Sequence, residues 1–205
     1  LPILPSGDAI VFPSMVAPMA TDNAQTVQII DYAAAGDKIV AIFSQRPNTE
    51  EAVPENLYSI GTAAVIARMF KLPDGSVRAL LQGLARIRLR EVTQRSPIFK
   101  ARVEILEDAT EKTTELEAME RNLGSLFQRV VSLSPNLPNE IAVAALNMTE
   151  PAALGDFVAA HLNLNLEERQ GILETLNVAE RLKRLTGLIN RELEILELGS
   201  KIQSR

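Results

Sequence analysis

Few residues of this 205-residue chain have types and spacings that would support catalysis. Neither the phosphate-binding pattern G-x-x-x-x-G-K-[ST] nor the dinucleotide pattern G-x-G-x-x-G occurs in it. Cysteine is absent, which excludes disulfides, thiolate zinc sites and cysteine nucleophiles. Serine and lysine both occur, but no serine lies in a recognisable nucleophile elbow. We therefore predict no catalytic, cofactor-binding or metal-binding residue in this chain.

The single histidine, His161, closes an apolar helical pattern in the second half of the chain. One histidine cannot form a multi-histidine metal site. It is a helix-terminal residue favoured by the helix dipole, a packed residue, or a general base. We favour a helix-terminal or packed position over a general base.

Charged side chains recur in three places, and each has an ordinary structural explanation. Three arginines at alternate positions could follow a phosphate backbone. We favour instead the solvated outer face of a half-buried strand, with Glu91 and Glu104 as partners. The pairs Glu50–Glu51 and Glu167–Glu168 indicate a loop and the first turn of a helix rather than a metal or acid–base site. The three arginines are Arg86, Arg88 and Arg90.

A third group of residues is apolar and adaptable, and it offers the best candidates for binding. Methionine side chains fit varied hydrophobic partners, although they also fill cores. Both alternatives stay open for these positions. The substrate-binding candidates are Met15, Pro18, Met19, Met69, Phe70 and Leu72.

The elements that would position these residues divide into two parts. Residues 1–108 have the alternation and turn residues of a β-rich lobe, with one short helix capped by Asp22 or Asn23 and stopped by Gly36. Prolines on both sides of the first apolar run would mark the ends of its strand. The predicted strands are Ile10–Phe12, Lys38–Phe43, the two arms of a hairpin around Pro73–Gly75, and Phe99–Leu106.

Residues 109–205 change to a helical period, with apolar residues three and four positions apart. We predict an α-helical bundle, and hence an α+β fold for the whole chain. The predicted helices run from about Leu116 to Ser134, from Asn139 to Asn147, from Pro151 to His161, and onward from the cap-x-x-Glu patterns at Asn165 and Asn177. The last one continues without a stop signal, which indicates a piece of a longer protein.

Composition narrows the class of protein further. The net charge of −5 argues against a nucleic-acid or membrane-surface binder. Pro13 and Pro18 interrupt the N-terminal apolar run before it could span a membrane, and no basic region precedes it as in a signal peptide. We expect a soluble, cytoplasmic protein that binds other proteins. RNA binding and a self-contained peptidase are the alternatives.

Six segments, distributed in order over nearly the whole chain, carry a family resemblance. They are "PSGDAIVFP" (5–13), "LYSIGTAAVI" (57–66), "LPDGSVRALLQGLARI" (72–87), "LSPNLPNEI" (133–141), "AAHLNLNLEERQGILETLNVAERLKRL" (159–185) and "RELEILELGSKIQSR" (191–205). Together they resemble the N-terminal domain of ATP-dependent Lon proteases. In the first segment the family usually has a Leu-Arg pair, where this chain has Ser6-Gly7.

The resemblance implies a PUA-like β-rich N-terminal lobe followed by an α-helical bundle that ends in a long helix. It also implies recognition of unfolded or degron-bearing proteins and support of a hexamer. ATP, Mg²⁺ and the Ser–Lys pair of the family belong to modules with no matching positions here. A stand-alone PUA-like protein that binds RNA or peptides is the alternative to a Lon domain.

Overall fold

The computed structural model describes residues 1–203. By its internal contacts the chain divides into two compact units, Leu1–Glu107 and Asp108–Arg205. The first is a mixed sheet with one helix and the second is helical, so the predicted α+β class is confirmed. In the part of the chain that the structure describes, no helix is both long and apolar enough to cross a membrane.

The first unit is built on a strongly curled sheet. Its strands are β1 (Ile3–Pro5), β2 (Val16–Thr21), β3 (Ile39–Phe43), β4 (Ile60–Lys71), β5 (Val77–Gln94) and β6 (Lys100–Leu106). They are ordered β1-β3-β4-β5-β2, and β6 pairs with the second half of β5. The amide of Ile3 donates to the carbonyl of Phe99 at 2.9 Å, so the sheet curls until β1 lies beside β6.

Helix α1 (Ala24–Ala34) covers one side of this sheet and begins where the sequence predicts. The Asn23 side chain accepts hydrogen bonds from the amides of Gln25 and Thr26, both at 3.0 Å. These bonds satisfy donors that a helix start leaves unpaired. The buried Ile29 and Ile30 of α1 join the core lined by β1, β3, β4 and β5, and half-buried side chains of β2 pack against it.

The prediction of a first strand at Ile10–Phe12 is wrong, although all three side chains are buried. Side chains and a turn, rather than a neighbouring strand, satisfy the backbone of this segment. The Thr62 hydroxyl donates to the carbonyl of Val11 at 2.6 Å, and the Met15 amide donates to the carbonyl of Phe12 at 3.0 Å. The short strand β1 lies upstream, immediately after Pro2.

The predicted solvated arginine face is wrong at Arg86, which is 2% exposed. Residues 63 and 64 of β4 pair with 85 and 83 of β5, so Leu84 is an extra residue in β5. Such a bulge reverses which side chains face inward beyond it. Arg86 therefore turns inward. A second irregularity, between Leu89 and Glu91 in the pairing with β6, leaves Arg90 outside, where it pairs with Glu104 as expected. Glu91 pairs with Arg102 instead.

The second unit is a bundle of helices, and the two helices predicted from capping patterns begin where those patterns indicate. Its helices are α2 (Thr114–Leu133), α3 (Asn139–Leu146), α4 (Pro151–His161), α5 (Leu166–Glu174) and α6 (Val178–Gln203). A full capping box joins Asn165 and Glu168 at the start of α5, and Asn177 accepts from the amide of Glu180 at 2.9 Å in α6. The predicted continuation of α6 to the chain end falls partly outside the described residues.

Candidate functional site

The six apolar candidates all lie in the first unit, on or next to β2, at the end of β4, and in the turn that joins β4 and β5. Pro18 and Met19 belong to β2, rather than following a strand at Ile10–Phe12 as predicted. Met69 and Phe70 end β4, and Met15 directly precedes β2. Leu72 lies at the start of the hairpin turn. The register of the sheet decides which of these side chains face solvent.

The methionines of this group face the core. Met19 of β2 and Met69 of β4 both lie opposite Ala79, which occupies the strand between them. Ala79 is buried, and Met15, Met19 and Met69 are half-buried against the cluster that α1 covers. Core packing is therefore their main environment.

The alternate positions of the same strands form an apolar surface that we call the outer face: the exposed Val16, Pro18, Ala20 and Phe70 and the half-buried Leu80. Phe70 is 60% exposed, and Val16 and Leu80 extend the surface across β2 and β5. Phe70 and Ala20 lie in one row on either side of Arg78, and Pro18 lies beside Leu80. The structure thus separates Pro18 and Phe70 from the methionines.

The outer face borders an open groove of about 640 Å³. Its lining offers apolar contact and one cation, but no nucleophile and no general base. The groove can therefore hold an apolar chain segment rather than transform one. The lining residues are Pro18, Met19, Ala20, Phe70, Arg78, Ala79 and Leu80.

The turn between β4 and β5 holds this end of the groove in place. The amide of Leu72 donates to the carbonyl of Ser76 at 2.9 Å. The Asp74 carboxylate accepts from the amide of Ser76 at 2.9 Å and from its hydroxyl at 2.6 Å. These hydrogen bonds from Ser76 hold the pKa of Asp74 below its usual range. Leu72 itself is half-buried in the turn, apart from the groove lining.

His161 lies at the C-terminal end of α4, as predicted. Its Nδ1 atom is 2.8 Å from the carbonyl oxygen of Phe157, and the two rings lie 4.5 Å apart. The imidazole is thus a packed helix-end residue, and that interpretation is confirmed.

The acidic pairs also occupy ordinary positions. Glu167 and Glu168 lie in the first turn of α5, where the Glu168 carboxylate binds the Arg191 guanidinium at 2.5 Å. Hydrogen bonding to Arg191 lowers the pKa of Glu168. Among residues 1–203, no cluster of three or more histidine and acidic side chains could hold a metal ion.

Sequence reasoning missed a second groove, of about 560 Å³, in the helical unit. Leu146 on its rim is 56% exposed, and its acidic side carries Glu117 and Glu120. Burial and the neighbouring Glu150 raise the pKa of Glu120. No sequence signal marks this groove, because it depends on how α2, α3 and α4 pack. Its lining comprises Glu117, Glu120, Arg121, Gly124, Ser125, Ala145, Leu146, Met148 and Leu154.

The family model and the related sequences that match this chain all belong to the same protein family. Residues 1–191 match the family described as the ATP-dependent protease La (LON) substrate-binding domain. The chain is 43% identical over 204 residues to the Lon protease of Dictyoglomus thermophilum, covering 100% of the chain and 26% of that protein. It is 39% identical over 203 residues to the Lon protease of Roseiflexus castenholzii, covering 99% of the chain and 25% of that protein.

The fold agrees with solved structures. The N-terminal domain of a Mycobacterium avium complex Lon protease superposes with a TM-score of 0.76 at 25% identity, covering 93% of this chain and 97% of that one. A Lon N-terminal domain protein from Xanthomonas campestris superposes with a TM-score of 0.66 at 16% identity, covering 91% of this chain and 96% of that one. This likeness supports the fold. The chain spans about a quarter of the length of the curated relatives that it matches.

Proposed function

This chain belongs to the family of LON substrate-binding domains, and we propose that it captures unfolded or degron-bearing segments of other proteins on its outer face. The observation that carries the proposal is the set of solvent-facing apolar side chains on β2 and β4, with Phe70 60% exposed and the half-buried Leu80 of β5 between them. Contiguous apolar patches on a folded surface commonly mark interaction sites.

The proposed selectivity for unfolded proteins follows from the burial of apolar segments in native proteins. A folded protein rarely presents a long apolar segment, whereas an unfolded one presents many. Apolar contact in an open groove is weak for each site and tolerant of sequence. The outer face would therefore select for unfolding rather than for one particular sequence.

We further propose that weak capture becomes retention through assembly. In a hexamer of the longer protein, several outer faces would act on one substrate, which raises the effective concentration for the second contact. ATP hydrolysis with Mg²⁺ and Ser–Lys proteolysis would be performed by other modules of such a protein. This chain would act only in binding, in the cytoplasm.

NMR titration of the 205-residue chain with one protein in native and stably unfolded forms tests the proposal. We expect shifts of outer-face resonances with the unfolded form and none with the native form. Equal shifts with both forms, or none with either, would contradict the proposal. Incubation with casein, with and without ATP, is the control for peptidase activity, and we expect no cleavage.

A further inference from the structure

Strand β2 lies at an open edge of the sheet. It pairs with β5 along one side, and among the described residues no strand pairs with its other side. An unprotected edge presents backbone donors and acceptors to any extended chain that approaches it. Proteins often use such an edge to bind a peptide as an added strand.

The register identifies which backbone groups of β2 face away from β5. The amide of Gly83 donates to the carbonyl of Met15 at 2.9 Å. Because hydrogen-bonded positions alternate along an antiparallel pair, Ala17, Met19 and Thr21 also bond to β5. The backbone groups of the intervening Val16, Pro18 and Ala20 therefore point outward. Within residues 1–203, no hydrogen bond to them from outside the sheet is recorded.

These outward positions belong to the outer face as well. A strand added beside β2 would hydrogen-bond to Val16 and Ala20 while its alternate side chains continue the apolar surface. We infer that an extended segment of an unfolded protein binds by adding a strand to the β2 edge. This inference rests on the proposed function and specifies how the substrate is held.

Charge around the outer face indicates the composition of the bound segment. Arg78 lies between Ala20 and Phe70 in one row of the sheet, and Arg68 lies beside Leu80 in the next row. Arg68 forms no ion pair recorded within residues 1–203. Ala20 is small, and neighbouring strands are about 4.8 Å apart, so little side-chain volume separates Arg78 from the edge. The segment is therefore apolar at alternate positions and carries an acidic side chain on the same side.

The β2 edge would pair better with a strand from a substrate protein than with β2 of a second copy of this chain. Pro18 lies near the centre of the strand and lacks an amide hydrogen. Two copies paired antiparallel about their centres would place one Pro18 opposite the other, and both central donors would be lost. A substrate strand loses only one of them.

A backbone-modified peptide tests this mode of binding. The probe is a ten-residue peptide with alternating valine and serine, in which an aspartate replaces one terminal valine. Two versions carry N-methyl groups on alternate residues, one set on the edge-facing amides and the other on the opposite amides. The valine–serine alternation fixes the register, because a slip by one residue would turn the serines toward the outer face.

We expect N-methylation of the edge-facing amides to abolish binding to the 205-residue chain and N-methylation of the opposite amides to leave binding unchanged. Equal binding of both methylated peptides would overturn the inference. If the wild-type chain binds no unmodified peptide but does bind an unfolded protein, the inference is wrong and the proposed function stands. If it binds neither, both are wrong.

Variants of β2 provide the complementary test. P18V adds an outward amide and keeps an apolar side chain, so binding of the unmodified peptide should tighten roughly two- to tenfold. A20P removes an outward amide and should weaken binding by a similar factor. Binding that is unchanged by both P18V and A20P would contradict edge pairing.

Hydrogen exchange of the wild-type chain covers the case in which a variant fails to fold. The amides of Val16 and Ala20 should become protected when the peptide is added. Protection that increases with protein concentration, without peptide, would assign the edge to a second copy of this chain and overturn the inference.

Discussion

The fully buried guanidinium of Arg181 donates to the carboxylate of Asp108, with 2.5 Å between Nη2 and Oδ1. Its Nε also donates to the carbonyl of Thr175 at 2.9 Å, and the buried Asp156 lies 3.6 Å from Nη1. This cation therefore ties the start of α6 to α4 and to the first residue of the helical unit.

Removal of the Arg181 charge should be among the most damaging changes in the helical unit. R181M leaves the carboxylate of Asp156 buried beside an apolar side chain, and loss of one member of a buried pair costs about 3–5 kcal/mol. Urea unfolding followed by far-UV circular dichroism measures the loss. K183M, on the exposed side of α6, is the control and should change stability by no more than about 0.5 kcal/mol. Equal effects of the two variants would contradict the assigned role.

Gly83 should not tolerate a side chain, because the backbone of Phe12 passes directly over it. A Cβ atom at Gly83 would lie 2.3 Å from the carbonyl oxygen of Phe12. G83A should therefore lower the unfolding midpoint strongly. At Gly187 of α6 a Cβ atom would meet nothing within 4 Å, so G187A should stabilise by about 0.5–1 kcal/mol through helix propensity. A stable G83A variant would show that Phe12 is not held at this place.

The ion pair between Glu168 and Arg191 should make stability depend on acid pH. Because Arg191 lowers the pKa of Glu168 in the folded state, the pair stabilises the fold above the unfolded carboxyl value of about 4.3. That contribution is lost as the pH falls through the lowered folded value. E168Q should therefore be less stable than the wild type at neutral pH, and the difference should shrink in acid.

The matched control for this pair is E167Q, since Glu167 is exposed in the same turn of α5. It should leave the pH dependence of unfolding nearly unchanged. A constant difference between E168Q and the wild type across the acid range would contradict the assignment.

Phe70 and Met69 are neighbours with opposite orientations, which allows binding and stability to be separated. F70A should weaken capture of an unfolded protein with little effect on stability, because its ring lies on the outer face. M69A should lower stability by about 2 kcal/mol, since Met69 packs on the core, while the folded protein keeps its capture. Capture by pull-down and thermal unfolding measure the two effects. The reverse pattern would move the binding surface to the core side of the sheet.

Local signals in the sequence predicted the helices well. The caps at Asn23, Asn165 and Asn177 act within three residues of themselves, so no distant contact is needed to place a helix start. The hairpin at Pro73–Gly75 is equally local. Such features follow from backbone hydrogen bonding and turn geometry alone.

The failures depend on contacts that are distant in sequence. The segment Ile10–Phe12 has strand-forming residues, but the hydroxyl of Thr62, fifty-one residues away, binds it. The inward turn of Arg86 follows from an extra residue at Leu84, which only the pairing with β4 reveals. Sequence also grouped Met19 with Pro18, and only the register assigned them to opposite faces. PUA-like architecture stays a prediction.

Methyl NMR during titration with an unfolded protein tests the central claim most directly. Val16 lies on the outer face and is 54% exposed, and Met148 lines the groove of the helical unit. We predict that the methyl resonances of Val16 shift with the unfolded form and that of Met148 does not. A shift of Met148 with no change at Val16 would contradict the claim and place capture in the helical unit.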